Sequence, residues 1–118
     1  MQQNQNFINH VALVLDASGS SERPAMALRK FIIERNIPKV GSFDAKQLSD
    51  AAAKSNEALC QIGARDIQWV ESFVADDKTF CVYLATDEAA IRRHSEMSGF
   101  PADRITEVRA TIPPSTAE

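Results

Sequence analysis

The chain has 118 residues, of which 44% are hydrophobic and 25% are charged, and its formal net charge is −3. This length allows one hydrophobic core but not two, so we expect a single globular domain. The negative charge and the scattered lysines and arginines argue against a protein that binds nucleic acid by neutralising phosphates. Two cysteines, Cys60 and Cys81, are too few for a disulfide framework, which indicates free thiols in a reducing cytoplasm.

Residues 1–25 are predicted to be an N-terminal extension or linker that can add one strand, ahead of a compact domain over residues 26–118. The segment Phe7–Leu15 lacks a basic flank, and its uninterrupted apolar core, Val11–Leu15, is too short for a secretion signal or for a membrane span of about 20 apolar residues. The motif Asp16-Ala17-Ser18-Gly19-Ser20 is similar to the opening of the metal-ion-dependent adhesion site of von Willebrand A domains. That site needs further loops of a doubly wound α/β sheet, and the pattern after Ser20 differs, so we favour a linker.

The first half of the domain reads as a strand and a helix. Residues 28–35 alternate apolar and charged side chains, which predicts a strand that ends before the turn residue Pro38. Asp44 followed by Gln47 is a capping-box pattern and begins a helix that runs to about Ile62, where Gly63 is a natural end.

The second half reads as a hairpin, a helix and a last strand. Two strands over Ile67–Thr86 are joined by a tight turn at Asp76-Asp77-Lys78, a helix runs from Asp87 to about Ser98, and a strand follows over Arg104–Ile112. The resulting order, βαββαβ, predicts an α+β ferredoxin-like fold with two helices on one face of an antiparallel sheet.

Strict alternation along the hairpin assigns its side chains to two faces. One face reads as plain packing and comprises Val70, Val74, Phe80, Val82 and Leu84. The other mixes rings with a carboxylate, a thiol and a phenol, and comprises Trp69, Glu71, Phe73, Cys81 and Tyr83. Such a mixture is typical of a semi-polar cavity or an interface. Alternation in the outer strands adds to this second face Ile32, Glu34, Ile105, Glu107 and Arg109.

The mixed face would be exposed, because both helices are predicted on the other face, and soluble monomers avoid large exposed apolar patches. We therefore expect a homodimer in which two sheets meet around a two-fold axis and enclose a pocket, as an α+β barrel. Trp69 and Phe73 would line that pocket, with Glu71 as a base, Arg109 as an anion clamp and Tyr83 as a hydrogen-bond donor.

Several segments of the chain resemble one known family. They are Phe31–Pro38, Ile67–Val74, Asp77–Ala85 and Gly99–Ile105, with Ile91-Arg92-Arg93-His94 ahead of the last. Through them, residues 29–118 resemble the small nickel-binding, ferredoxin-like domain family otherwise classed as being of unknown function. The resemblance implies a dimeric ferredoxin-like fold and nickel binding, with no established catalytic role.

The resemblance makes three residues candidate nickel ligands, since nickel prefers imidazole, carboxylate and thiolate groups: His94, Glu71 and Cys81. Phe73 stands where family members often carry a tyrosine, so one polar ligand is missing. Each candidate also has a structural interpretation. His94 can pack its helix, Cys81 can be a small buried hydrophobe, and Glu71 can pair with Arg109.

Two functions therefore remain open. The first, which we favour, is a small cytoplasmic nickel-binding protein that sequesters or senses the metal without catalysis. The second is a small-molecule-binding or catalytic α+β barrel that uses the face carrying Glu71, Tyr83 and Arg109. Neither involves nucleic acid or a membrane.

Overall fold

The structure is a computed structural model that describes residues 27–117, so the predicted extension over residues 1–25 lies outside the described residues. It contains four strands and two helices: β1 (Arg29–Asn36), α1 (Ala45–Ile62), β2 (Ile67–Val74), β3 (Lys78–Ala85), α2 (Glu88–Ser98) and β4 (Arg104–Glu107). Short 3-10 turns occupy Val40–Ser42 and Pro114–Ala117. The last strand ends five residues earlier than predicted, at Glu107 rather than Ile112.

The strands form one sheet in the order β2-β3-β1-β4, and each pair of neighbours is antiparallel. Leu59 and Ile62 of α1 and Ile91 of α2 pack on the same sheet residues, so both helices cover one face. The predicted α+β ferredoxin-like fold is therefore confirmed. Among the described residues, no helix combines the length and the apolar character needed to cross a bilayer.

Both helices begin at side-chain caps, and the cap of α1 at Asp44 is the one that the sequence predicts. The Gln47 backbone amide donates to Asp44 Oδ1 over 2.8 Å, and the Asp44 amide donates to Gln47 Oε1 over 2.9 Å. At the start of α2 the Ala90 amide donates to Asp87 Oδ1 over 3.0 Å. These contacts satisfy amides that have no partner within the helix, which stabilises the first turns.

The two faces of β3 are the reverse of the prediction. Cys81 and Tyr83 are only 5% and 2% exposed, because they face the helices and belong to the main core cluster. That cluster comprises Phe31, Ile33, Ile67, Cys81, Tyr83, Ala85 and Ile91. Phe80, Val82 and Leu84, which were predicted to be core, alternate onto the opposite face, called here the open face. Alternation shows which residues share a face but not which face the helices cover.

A β-bulge at Val70 divides the residues that alternation had placed together in β2. Trp69 pairs with Tyr83, but Glu71 pairs with Val82, so Val70 is an extra residue in the ladder. One extra residue reverses the alternation beyond it. Trp69 therefore faces the helices, whereas Glu71 and Phe73 lie on the open face. Val74 pairs with the buried residue Thr79, so it lies on the helix-covered face and not on the open face.

The outer strands agree with the predicted open face only in part. Ile32 and Glu34 lie on it, opposite Val82 and Phe80. Ile105 and Glu107 pair with the buried residues Ile33 and Phe31, so they lie on the helix-covered face instead. Arg109 is exposed beyond the end of β4 and shares no sheet face with Glu71.

Candidate functional site

The centre of the site is Arg35, a charged side chain that β1 carries into the interior. Period-two alternation places it on the same face as Phe31 and Ile33, and it is only 3% exposed. Its Nη1 donates to the Pro101 carbonyl over 2.8 Å and, more weakly, to the Phe100 carbonyl over 3.4 Å. Arg35 thereby ties the loop after α2 to the end of β1.

A buried hydrogen-bond network of four side chains extends from Arg35 into both helices. Arg35 Nη2 lies 3.4 Å from Tyr83 Oη and 3.5 Å from His94 Nδ1, and His94 Nε2 lies 3.0 Å from Ser55 Oγ. A guanidinium has only donors, so His94 Nδ1 accepts and we assign the imidazole proton to Nε2, which donates to Ser55. The rings of Tyr83 and His94 lie 5.4 Å apart between their centroids.

Burial sets the charge states of the side chains in this network. Loss of solvent and then the charge of Arg35 lower the pKa of His94 from 6.5 to about 4, so its ring is neutral at neutral pH. Burial likewise raises the pKa of the Tyr83 phenol, although Arg35 opposes that shift, so Tyr83 stays protonated. Of the four side chains in this network, only Arg35 is therefore charged at neutral pH.

A cavity of about 230 Å³ lies between the helix-covered face of the sheet and α1. Small side chains on α1, Ala51 and Ala52, leave room above the rings of Trp69 and Tyr83. Most of its other walls are apolar and come from Ile37, Val40, Phe43, Leu48, Val74 and Phe100. Arg35, Ser55 and Tyr83 give it a polar end.

Three of the predicted site residues meet at this cavity: Trp69, Tyr83 and Cys81. The Trp69 and Tyr83 rings stack with 6.5 Å between centroids and 18° between planes, and the Trp69 indole nitrogen donates to Ser72 Oγ over 2.9 Å. Cys81 Sγ lies 3.4 Å from Thr79 Oγ1 and is buried. The cavity that these three residues line lies under α1, on the helix-covered face of the sheet.

The other predicted site residues do not reach the cavity. Glu71 and Phe73 lie on the open face, and Arg109 is exposed outside the sheet. The predictions missed Arg35 and Ser55, although Arg35 follows Phe31 and Ile33 at strand spacing and could have been read as inward-facing from the same pattern.

The predicted nickel ligands do not assemble within the described part of one chain. Glu71 is on the opposite face of the sheet from His94 and Cys81, and both nitrogens of His94 already have hydrogen-bond partners. Arg35 beside His94 also repels a cation. Over residues 27–117, no group of three or more His, Cys, Asp and Glu side chains could hold a metal ion. Glu71, His94 and Cys81 therefore do not form a nickel site within the described part of one protomer.

Comparison with known proteins places the chain in a family. Residues 31–108 match the SCO4226-like nickel responsive proteins. The fold is similar to the crystal structure of SCO4226 from Streptomyces coelicolor A3(2), with a TM-score of 0.59, 17% sequence identity, and coverage of 70% of this chain and 99% of that chain. No curated protein matches the sequence significantly. The family match spans well over half of the chain, which therefore belongs to the SCO4226-like nickel responsive protein family.

Proposed function

We propose that this protein binds a small, largely apolar molecule in the cavity between the sheet and α1. The observation that carries this proposal is a cavity of about 230 Å³ with mostly apolar walls and one polar end at Arg35 and Tyr83. An apolar cavity of about 150 Å³ is enough to hold benzene, so a small aromatic or short aliphatic molecule fits this volume. The role is binding, and we assign no catalytic residue.

We further propose that the protein acts as a homodimer joined through the open face, in the reducing cytoplasm predicted from its two cysteines. On this face Phe73 is 56% exposed and Phe80 is 36% exposed, beside the half-buried Ile32 and Val82. Exposed apolar patches of this kind mark interaction surfaces, and a two-fold pair of like faces is the commonest arrangement. Under this proposal the cavity and the dimer interface lie on opposite sides of the sheet.

Direct nickel binding, for sequestration or sensing, is the second candidate, and membership of the nickel responsive family supports it. The described residues of one chain do not supply three ligands together, so a site that uses them must be completed by a partner subunit or by residues outside 27–117. Glu71 is exposed on the proposed dimer face and is available to such a site. The predicted roles of His94 and Cys81 require their present contacts to break.

The cavity proposal is tested by small aromatic probes and a variant that fills the space. Toluene, benzamide and benzoate are titrated while the fluorescence of Trp69, the only tryptophan in the chain, and the melting temperature are recorded. We expect at least one probe to bind the wild type, Ala52→Phe to abolish binding, and Ala53→Phe on the exposed side of α1 to preserve it. Binding of no probe, or binding that survives in Ala52→Phe, refutes the proposal.

The nickel proposal is tested by calorimetric titration of Ni²⁺ into the full chain, with Zn²⁺ and Co²⁺ as controls. We expect Glu71→Gln to lower the nickel stoichiometry and His94→Gln to leave it unchanged, because His94 is enclosed by Ser55 and Arg35. The variant His10→Gln tests the second histidine of the chain, which lies outside the described residues. No selective uptake by the wild type refutes nickel binding, and loss in His94→Gln alone refutes the Glu71 assignment.

A further inference from the structure

Arg35 is a buried cation that pairs with no carboxylate among residues 27–117. It is 3% exposed, yet none of the ion pairs formed within residues 27–117 includes it. A buried charge is costly unless an opposite charge or a full set of hydrogen bonds compensates it. The position is therefore suited to an anion supplied from outside the chain.

Most hydrogen bonds of Arg35 are long. Only the bond from Nη1 to Pro101 is short, at 2.8 Å, while the contacts with Phe100, Tyr83 and His94 are 3.4, 3.4 and 3.5 Å. A guanidinium offers five N–H donors, and charge-assisted bonds to a carboxylate are normally about 2.7–2.9 Å long. A carboxylate on the Nη2 side would replace the two long contacts with Tyr83 and His94 by shorter, charge-assisted bonds.

The same side chain lines the apolar cavity, which defines the chemistry of the ligand. We propose that the cavity binds a small monocarboxylate with an apolar body, such as an aromatic or short aliphatic acid, whose carboxylate pairs with Arg35. The body of the ligand lies against Trp69, Ala52 and the ring of Tyr83. This proposal rests on the cavity being a binding site and adds the class of ligand.

A purely structural role is the alternative for Arg35, and the contacts separate the two roles. The loop after α2 is held by Nη1, and the Phe100 carbonyl also accepts a hydrogen bond from Ser95 Oγ. Holding the loop therefore uses one end of the guanidinium. That role does not explain why the same side chain also lines a cavity of about 230 Å³.

Benzoate and its neutral isostere benzamide test the proposal on the unmodified full chain. We expect benzoate to bind about tenfold more tightly or better, because hydrogen bonds to a charged partner are worth more than neutral ones. Equal affinity for the two compounds, or tighter binding of benzamide, overturns the carboxylate proposal while leaving the binding cavity intact. Binding of neither compound, nor of toluene, overturns the binding cavity as well.

Arg35→Gln provides a second test, after its unfolding transition has shown that it folds. We expect this variant to lose the preference for benzoate while its affinity for benzamide changes little. A preference retained in Arg35→Gln would contradict the assignment of Arg35 as the anion partner. If the variant does not fold, the comparison of the two compounds on the wild type still decides the proposal.

Discussion

His94 on α2 and Ser55 on α1 meet in the interior, where Nε2 and Oγ lie 3.0 Å apart. His94 is 0% exposed and Ser55 is 5% exposed, so the contact is shielded from bulk water. The bond joins the two helices above the sheet and sets the tautomer that lets Nδ1 accept from Arg35. A polar contact between helices thus supports the polar end of the cavity.

Removal of the Ser55 hydroxyl is expected to destabilise the fold. Ser55→Ala removes the side-chain partner of His94 Nε2 and keeps only the backbone of residue 55 beside it, which we expect to cost about 1 kcal/mol in the free energy of unfolding. Urea unfolding followed by circular dichroism measures the change, with Ser49→Ala on the exposed side of α1 as the control. A loss no larger than that of the control would show that the contact contributes little.

Acidification is expected to weaken the fold through His94. The pKa of His94 is lowered from 6.5 to about 4 on folding, so between these values the unfolded chain binds more protons and stability falls as the pH falls. From about pH 7.5 to about pH 5.5 this contributes a loss of about 1 kcal/mol. Urea unfolding at several pH values measures it.

The variant His94→Gln should show a flatter pH dependence over this interval than the wild type. His10→Gln, which removes the other histidine, should keep the wild-type dependence. Equal slopes for the wild type and His94→Gln would mean that His94 is not the group responsible.

The open face is expected to hold two chains together. Val82→Lys places two like charges at the centre of the proposed interface, so it should convert a dimer into a monomer without loss of secondary structure. Sedimentation velocity over a range of concentrations measures the change. Ile112→Lys is the control, because Ile112 is 78% exposed but lies outside the sheet. A wild type that sediments as a monomer at every concentration contradicts the prediction.

The cap of α1 is expected to contribute measurably to stability. Asp44→Ala removes the acceptor of the Gln47 amide and should cost about 1 kcal/mol in the free energy of unfolding. Asp50→Ala in the same helix removes an exposed pair with Lys46 and should cost less, about 0.3–0.5 kcal/mol. Chemical unfolding of both variants tests the order, and an equal loss would argue against a special role for the cap.

The limits of sequence reasoning are clearest at Val70. Alternation is a local rule, and it grouped Trp69 with Glu71 because the residue types between them do not indicate a bulge. The bulge is set by pairing with β3, which aligns Trp69 with Tyr83 and Glu71 with Val82. One inserted residue separated the aromatic cavity from the carboxylate that had been predicted to serve it.

The sequence by itself determined the order of strands and helices, the helix cap at Asp44, and the family, because these depend on local patterns and turn chemistry. Only the tertiary structure decided which face of the sheet the helices cover, and so placed Cys81 and Tyr83 in the core and Phe80 and Val82 on the open face. It also decided that Arg35, His94 and Ser55, which lie on three different elements, meet in one hydrogen-bond network, of which Arg35 and Ser55 line the cavity. These contacts depend on how the strands and helices pack, because packing brings together residues that are far apart in the sequence.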